Sequence, residues 1–523
     1  YFAFDFLWSF ATFIKTKIKQ QKEYKNITGK FSQREFIITS PKQERGEALL
    51  KKSSIILAVY VIAFLISAIQ LLPTYELTAK SQRVNITLEM SQTESLNPDS
   101  LWGLITPNYK NVSHGEEYSG PWDRTQNYLY LSITILILAI LGAIYGIARK
   151  ETRKMTIFWI LLLASSLVYS LGKYGFLQKY YFQSIPFFDK IRAPSNMILL
   201  FDLAAIALAS ILFANIHSLF ESKQKYEYIK YVLGIIMGAI IIYELFTAVS
   251  LNELLYARKS PDTVTQKPWI AENIQSEYSA LDEIDKFRVF KVPEFQDNST
   301  QMWKIYAFDG YNPLMLQRYG AFVDTMVQNA NLVDVSGIKY LPCEFIPERA
   351  ENLEKVGNLC INKTHFPRAF FVDHFIVAEN GQDALSKLNA IGNPREVVIL
   401  EKDPKVLLNQ NSRNQSLAIA DAKPGFWKLS SENDSDSFVI FTQTYYPGWT
   451  AKIDGQITEI YQADYLFQAI SVPQGNHEII FEYESPLLKK GVTLTIIGLV
   501  IVLLGLVSAY ILSIIYKNIG KKE

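Results

Sequence analysis

The sequence predicts a polytopic α-helical membrane protein, with about six full transmembrane helices plus a partial one. It also predicts an extracytoplasmic α+β or β-sandwich-like domain before the last transmembrane helix. Three observations support this fold class. Several charge-free apolar runs are long enough to cross a bilayer, basic residues cluster consistently on one side of these runs, and a long segment with strand patterns separates the last two runs.

The apolar runs are of two kinds, and about 20 apolar residues in a helix span the ~30 Å hydrocarbon core. Four runs contain no charge: Ser53–Pro73, Tyr128–Ala148, Met155–Gly172 and Gly491–Tyr516. The other two, Ser195–Ile216 and Tyr231–Ser250, contain Asp202 and Glu244. Charges inside a membrane span are costly and usually face a polar interior or a partner. We expect Asp202 to make a polar contact between helices rather than to bind substrate, and Glu244 to reach either such a partner or the interface.

The first residues, YFAFDFLWSFATFI, resemble the end of a further membrane helix. The chain begins with Tyr and shows no signal-peptide pattern of basic, apolar and small-residue regions. We therefore expect it to be a fragment that lacks an N-terminal part.

Basic residues near the ends of the runs predict the orientation in the membrane. The segment Lys15–Lys52 contains eleven Lys or Arg, and RKETRK, SKQKYEYIK and the final KNIGKKE are also basic. All of them fall on one side if the chain crosses at each run in turn. This predicts a multi-pass protein of the cytoplasmic membrane, in contact with the lipid bilayer, with a cytoplasmic C-terminus and Leu251–Lys490 outside. A net charge of +1 gives no field that would attract nucleic acid.

The predicted domain organisation has four parts: a transmembrane domain at 1–250, an extracytoplasmic α+β region at 251–395, a β-rich module at 396–489, and a final helix with a cytoplasmic tail at 490–523. GQDALSKLNAI has helical spacing of its apolar residues. From about Glu396 strand patterns dominate, punctuated by Gly448, Asp454-Gly455 and Pro473–Asn476. They predict a small antiparallel sandwich with one face buried and one wet.

TYYPGWTAKIDG, Thr444 to Gly455, is predicted to form a hairpin in this module. Its aromatic residues Tyr445, Tyr446 and Trp449 have two interpretations. They pack inside the module, or they form a platform that stacks on a sugar ring of a glycan.

Cys343 and Cys360 cannot form a zinc site by themselves. Outside the cytoplasm they could form one disulfide. The alternative is two unpaired thiols, because sequence does not show whether their Cα atoms approach closely enough.

Several segments together resemble the bacterial membrane protein YfhO family. Its C-terminal signature is similar to YYPGWTAKIDG followed by ADYLFQAISVPQGNHEIIFEYESP. Four earlier segments match family motifs in the same order: SAIQLLPTYEL, RAPSNMILL, DGYNPLMLQRY and HFPRAFFV.

The resemblance implies a membrane glycosyltransferase of the GT-C type. Such an enzyme transfers a sugar from a polyprenyl-phosphate carrier to a cell-envelope glycan acceptor, such as a teichoic-acid-like polymer. Its catalytic acidic residue usually lies in the first outer loop, which we expect upstream of Tyr1. The alternative is a non-catalytic envelope protein that transports lipid-linked sugar or anchors a glycan-binding module.

Arg192 and, more weakly, Arg83 are candidates for binding the carrier phosphate, because a guanidinium binds phosphate in a bidentate manner. Arg192 could instead contact lipid headgroups or form an ion pair with Asp189. The loop Thr74–Asn127 contains His114 and Asp123, which are weak catalytic candidates. Its Trp and Tyr residues are also typical of an interfacial aromatic belt.

No cofactor is evident from the sequence. The triplet Asp434–Asp436 resembles an acidic metal-binding triplet but lies in a polar turn, so we expect no metal site there. A divalent metal is possible in such an enzyme, but no motif in the chain supports it.

Overall fold

The computed structural model describes residues 41–112, 118–120, 127–215, 227–250, 266–295, 298–345, 353–406 and 414–519. The chain divides into two compact units. One comprises Tyr1–Ile55 and Asn85–Val264, and the other comprises Ile56–Val84 and Thr265–Glu523. The second unit therefore combines most of one helix from the N-terminal part of the chain with all of the β-structure.

The α-helices of the described residues are α1 Pro41–Lys80, α2 Leu88–Ser91, α3 Ile133–Ala148, α4 Arg153–Ser170, α5 Leu177–Ser184, α6 Ile198–Asn215, α7 Glu227–Ser250, α8 Trp269–Ser279, α9 Gln317–Met326, α10 Ala330–Val335, α11 Gly381–Ala390 and α12 Pro486–Ile519. Short 3₁₀ helices lie at Gln82–Asn85, Pro98–Leu104, Tyr109–Asn111, Gly172–Tyr174, Phe188–Lys190, Pro194–Met197, Glu283–Asp285, Ser299–Trp303 and Cys343–Phe345.

Within the described residues, four helical segments are long and apolar enough to cross a membrane: Ser53–Lys80, Pro194–Asn215, Tyr231–Ala248 and Pro486–Ile515. The other two predicted spans are also helical. Helix α3 is apolar but has 16 residues, about 24 Å. Helix α4 has 18 residues and begins with Arg153 and Lys154. The chain is thus a membrane protein with several apolar helices, and the count of six spans stays a prediction.

Small residues allow close helix packing in the first unit. A Cβ on Gly142 of α3 would lie 2.0 Å from the carbonyl oxygen of Leu208 in α6. A Cβ on Gly146 would lie 2.1 Å from Oγ1 of Thr156 in α4. Membrane helices associate largely through such close packing, so α3, α4 and α6 form the packed core of this unit.

In the second unit, α12 pairs with α1 through a stripe that repeats every three or four residues. A Cβ on Gly491 or Gly498 would come within 3.0 Å of Ala68 and Leu65 respectively. Between the two glycines, Thr495 Oγ1 lies 3.1 Å from the carbonyl oxygen of Ile66 and accepts a hydrogen bond from Ile69 N. The glycines and the threonine therefore join the two apolar helices by close contact and by hydrogen bonds to backbone groups.

The strands are β1 Arg288–Val289, β2 Ile338–Pro342, β3 Leu353–Val356, β4 Leu359–Asn362, β5 Ala369–Val372, β6 His374–Val377, β7 Val397–Leu400, β8 Gln415–Lys423, β9 Phe426–Asn433, β10 Ser437–Phe441, β11 Trp449–Ile453, β12 Gln456–Thr458, β13 Tyr461–Ala463, β14 Phe467–Val472 and β15 Gly475–Tyr483. In the residues that the structure describes, they form three sheets, with the orders β1-β2-β4-β3, β5-β10-β14-β13-β7-β6 and β12-β11-β15-β9-β8.

The six-stranded sheet is buried on both faces, which differs from the expected antiparallel sandwich with one wet face. Phe438 and Ile440 of β10 face a core with α9, α10 and α11, whereas Val439 and Phe441 face the five-stranded sheet. All five side chains of β10 are buried because both faces of the sheet are covered. Strand β6 also pairs in parallel with β7, which an antiparallel sandwich would not show. The sheet takes strands from both sides of residue 395.

The five-stranded sheet follows the predicted pattern more closely. In β9 buried positions alternate with half-buried or exposed ones, as expected for a sheet with one buried face. The predicted hairpin is confirmed: β11 and β12 are antiparallel and joined by Asp454-Gly455. Both turn residues have positive φ, 49° and 81°, as the two-residue turns with the twist of a hairpin require.

Cys343 and Cys360 are joined in a disulfide, with their Cα atoms 5.0 Å apart. Cys343 begins the 3₁₀ turn after β2, and Cys360 lies in β4. The bond closes the connection between two paired strands, in which Leu341 is the partner of Cys360.

Candidate functional site

The candidate site is a cavity of about 470 Å³ in the second unit. Its walls come from β1 and the loop after it, from the Asp309–Tyr319 segment and from α9. The volume lies in the range of small-molecule sites. Its lining residues are Gln82, Val289, Phe290, Lys291, Val292, Pro293, Phe295, Asn298, Thr300, Ala307, Asp309, Gly310, Tyr311, Met315, Tyr319, Gly320, Val323 and Asp324.

Asn298 holds the turn at the mouth of this cavity. Its Oδ1 accepts a hydrogen bond from Tyr311 N at 2.9 Å, and its Nδ2 donates to Tyr311 O at 3.0 Å. A Cβ on Gly310 would lie 2.9 Å from Oδ1 of Asn298, so glycine permits this approach. The side chain of Tyr311 is left 66% exposed on a fixed backbone. An aromatic face held in this way can stack on a planar or weakly polar ligand surface.

Asp309 and Lys291 supply opposite charges to the cavity. Burial raises the pKa of the Asp309 carboxyl, while backbone hydrogen bonds and the charge of Lys291 act in the opposite direction. Lys291 Nζ lies 4.7 Å from the ring centroid of Phe345 and 5.4 Å from that of Phe290. The cavity therefore offers hydrogen-bond acceptors and donors beside an exposed aromatic ring.

The residues directly after α1 contact this site. Gln82 N donates to Met315 O at 3.0 Å, and Ser81 forms a bridge with Leu316. A Cβ on Gly320 would lie 2.5 Å from Gln82 Nε2, so the glycine in α9 leaves room for the side-chain amide of Gln82. Helix α1 continues about 10 Å beyond its apolar run at Pro73. The cavity thus lies close to the end of a candidate membrane helix.

Arg83, a predicted carrier-phosphate ligand, directly follows Gln82 in the chain. Its backbone N donates to Ser81 Oγ at 3.1 Å. Among the described residues its enclosed Nε has no hydrogen-bond partner. Arg83 itself does not line the cavity, although its neighbour Gln82 does.

Arg192 lies in the first unit and is exposed. Its Nη2 lies 3.5 Å from Glu94 Oε1, whereas Asp189 pairs with Lys190 at 2.9 Å. The ion pair with Asp189, the alternative that the sequence suggested, is therefore replaced by a pair with Glu94. The chain fold brings Glu94 close although it lies about a hundred residues earlier.

The aromatic residues of the hairpin differ in exposure. Tyr445 is 37% exposed. Trp449 packs against Tyr483 and Phe441, with ring centroids 5.5 and 6.4 Å apart. Burial raises the pKa of Tyr446 to about 12, and Glu76 adds to this. These contacts support packing for Trp449 and Tyr446, while Tyr445 has the more accessible ring.

The two acidic residues within the apolar runs have different surroundings. Glu244 accepts hydrogen bonds from the Ser132 hydroxyl and from both N and Oγ1 of Thr134, the latter at 3.3 and 3.1 Å. It thus satisfies donors at the start of α3. Asp202 in α6 is half-buried, and its Oδ1 has no hydrogen-bond partner among the described residues. The polar contact expected for Asp202 is not seen at that atom.

The weak catalytic candidates His114 and Asp123 lie outside the described residues. Of the residues that are described, no three or more His, Cys, Asp or Glu are grouped so that they could hold a metal ion. Asp434 Oδ2 and Asp436 Oδ1 accept hydrogen bonds from Asn414 N and Gln474 N, so both shape turns.

Sequence reasoning did not assign Asp309, Asn298 and Tyr311 to a site. The available signal was the DGYNP stretch, in which two turn-forming pairs flank a tyrosine. The partner residue Asn298 precedes it by more than ten positions, and the other cavity walls come from still more distant parts of the chain.

Long apolar helices with a β-rich domain of several sheets define the class: a membrane protein that carries a folded polar domain. The family model described as "Bacterial membrane protein YfhO" matches residues 410–495. This segment contains the hairpin and the start of α12, and the predicted resemblance to the YfhO family is confirmed over it. No curated protein and no solved structure matches the chain.

Proposed function

We propose that this chain is part of a membrane glycosyltransferase. The enzyme transfers a sugar from a polyprenyl-phosphate carrier to a cell-envelope glycan, and the Asp309 cavity holds the acceptor. The observation that carries the proposal is the position of this cavity, because Gln82, two residues after the end of α1, forms part of its wall. A site so placed suits a reaction between a lipid-borne donor and a polar acceptor.

The disulfide supports an extracytoplasmic position for the β-rich part of the second unit. Disulfides persist in oxidising compartments and are rare in the cytoplasm, and Cys343 is bonded to Cys360. The basic segments at the ends of the membrane helices favour the same orientation.

The groups in the cavity suit a glycan. The Asp309 carboxylate can accept hydrogen bonds from neighbouring sugar hydroxyls, and Lys291 can donate to others. The exposed ring of Tyr311 offers an apolar face for the C–H surface of a sugar. Asn298 and Gly310 fix the backbone from which that ring projects before the ligand arrives, which lowers the entropic cost of binding.

In the proposed reaction, an outer-loop carboxylate takes the proton of an acceptor hydroxyl, and the hydroxyl oxygen attacks the anomeric carbon. The sugar–phosphate bond breaks, the polyprenyl phosphate leaves, and the anomeric configuration is inverted. Arg83 and Arg192 are the candidates that would neutralise the carrier phosphate. The catalytic carboxylate is not assigned to a residue of this chain.

The test replaces Asp309 with Asn and Tyr311 with Ala in the full-length protein in its host. Both variants should reach the membrane at normal levels and lose modification of the envelope glycan. Asp282→Asn is the matched control, since Asp282 is exposed and does not line the cavity. The Tyr445→Ala variant shows whether the accessible tyrosine of the hairpin also contributes to glycan modification. Normal glycan in both cavity variants would refute the assigned site.

A second function, binding without transfer, is favoured by one observation. The carboxylate, the lysine and the exposed tyrosine of the cavity are sufficient to hold a glycan without any bond being broken. In that case the purified protein would bind oligosaccharide, and no sugar would pass from a polyprenyl-phosphate donor to the acceptor.

A further inference from the structure

A second cavity, of about 280 Å³, contains two buried arginines. Arg288 of β1 and Arg368, directly before β5, line it together with the aromatic residues Tyr306, Trp427 and Trp449. Arg288 is 6% exposed and Arg368 is 4% exposed. Fully buried guanidinium groups are rare unless they are paired, so the partners of these two residues are informative.

Arg288 is bound by uncharged groups. Its Nη1 donates to Ser336 O at 2.7 Å and to Thr442 Oγ1 at 2.9 Å, and its Nη2 donates to Thr442 O at 2.5 Å. These contacts fix the orientation of the guanidinium. They do not neutralise its charge.

Arg368 is less well satisfied. Its Cζ lies 4.1 Å from the ring centroid of Tyr306 and 4.7 Å from that of Trp427. Its Nε and Nη1 are enclosed and have no hydrogen-bond acceptor within the described part of the chain. Ring faces attract a cation, but they leave these N–H donors without an oxygen acceptor, which is costly in a buried position.

Within the described part of the chain, the surrounding charge does not balance the two arginines. Burial lowers the pKa of Arg288, and the charge of Arg368 lowers it further. Burial also lowers the pKa of Arg368, which the phenols of Tyr306 and Tyr278 and the carboxylate of Glu283 partly oppose. Glu283 is itself occupied, since it accepts from the Tyr306 hydroxyl and pairs with Lys286 at 2.6 Å.

We infer that this cavity binds a phosphate group carried on a sugar or another polyol. An oxyanion would supply acceptors for the arginine donors and would offset the like charges. Guanidinium groups suit a phosphate better than a single-point acceptor because of their planar fork of donors. The cavity is larger than a phosphate alone, and Trp427 and Trp449 supply aromatic surface for the attached carbon skeleton.

This inference goes beyond the proposed function, because an anion can bind here whether or not the chain transfers a sugar. The cavity is also connected in structure to the candidate site. Ala307 and Tyr319 line both cavities, so the two share a wall.

The test measures ligand binding by the purified full chain in detergent, by calorimetry and by thermal unfolding. Inorganic phosphate and glycerol 3-phosphate should bind and raise the unfolding temperature relative to sodium chloride of equal ionic strength. Glucose should not compete with them. The Arg368→Gln variant should bind both phosphates at least tenfold more weakly. Arg395→Gln is the matched control, because Arg395 is exposed and also stacks on a ring, 5.1 Å from Phe366.

Gln443→Glu is a second variant that leaves the arginines in place. Gln443 lines the cavity and is half-buried, so a carboxylate there would compete with an anion for the guanidinium groups. It too should weaken phosphate binding at least tenfold, and it decides the test if Arg368→Gln does not fold. Equal phosphate affinity in the wild type and in a folded variant would overturn the inference, as would no response of the wild type to either phosphate. Neither assay includes a sugar donor, so failure here is independent of sugar transfer.

Discussion

Asp464 gives the sharpest prediction about stability. It lies between β13 and β14, is completely buried, and has a positive φ of 46°. Its Oδ1 accepts a hydrogen bond from Ile399 N at 2.9 Å. Its enclosed Oδ2 has no hydrogen-bond partner among the described residues. Burial raises the pKa of the Asp464 carboxyl to about 7, and the hydrogen bond from Ile399 N only partly opposes this.

The sign of the pH effect follows from this pKa. Since the folded protein holds the Asp464 proton more tightly than the unfolded chain, the stability associated with Asp464 is complete below pH 4. It falls as the pH rises through about 7. The difference between a pKa of about 7 and the ordinary value of 3.8 corresponds to roughly 4 kcal/mol in the free energy of unfolding.

Replacing Asp464 with Asn tests this reasoning. The amide oxygen can still accept from Ile399 N, but the side chain carries no charge. We expect the unfolding temperature of the wild type to fall between pH 5 and pH 8, and the Asp464→Asn variant to fall much less and to be the more stable protein at pH 8. The measurement is thermal unfolding of the purified chain in detergent.

Asp421→Asn is the control, because the hydrogen bond from Lys423 lowers the pKa of Asp421 and keeps it ionised throughout this range. It should leave the pH dependence of the wild type unchanged. Identical pH dependence in wild type and Asp464→Asn would refute the account of the buried carboxyl.

Three further predictions concern single contacts. Glu244→Gln should lower the unfolding temperature of the chain and reduce the free energy of unfolding by about 1–3 kcal/mol, because it weakens the hydrogen bonds from Ser132 and Thr134. Glu151→Gln, in an exposed loop, is the control and should leave the unfolding temperature unchanged. Cys343→Ser should cost roughly 2–4 kcal/mol, and a reducing agent should lower the unfolding temperature of the wild type but not of this variant. Gly448→Ala should destabilise more than Gly455→Ala in the same assay, because both have positive φ but only at Gly448 would a Cβ meet backbone, 2.7 Å from Glu484 O; equal effects would contradict this reasoning.

Local features of the fold could be predicted from sequence. The Asp-Gly turn placed the hairpin of β11 and β12 correctly, and the spacing of apolar residues in GQDALSKLNAI matched α11. These elements depend on contacts between near neighbours in the chain. Long apolar runs were equally clear, because composition and length determine them.

The burial of the six-stranded sheet was not predicted, although SFVIF is apolar at all but its first position. A continuous run of this kind suits a strand covered on both faces. The parallel pairing of β6 with β7 was also not foreseen. It depends on α11, which lies between the two strands and connects them.

The candidate site could be predicted only in part. Asn298 and Gln82 are far apart in the sequence. Asn298 contacts Tyr311 in the Asp309–Tyr319 segment, and Gln82 lies beside Gly320 of α9. The sequence did not indicate a site at Arg288 or Arg368. Arginine side chains are mostly exposed, and the burial of Arg288 depends on distant residues such as Thr442. Pairings of this kind arise from the tertiary fold and leave no local pattern.

The side of the membrane on which the β-rich part of the second unit lies can be measured directly. Ile457 in the hairpin is 79% exposed, and Lys150 is exposed in the basic turn between α3 and α4. The variants Ile457→Cys and Lys150→Cys are treated in spheroplasts with a maleimide that cannot cross the membrane. We expect position 457 to be labelled at once and position 150 only after lysis. Labelling of position 150 with protection of position 457 would contradict this expectation.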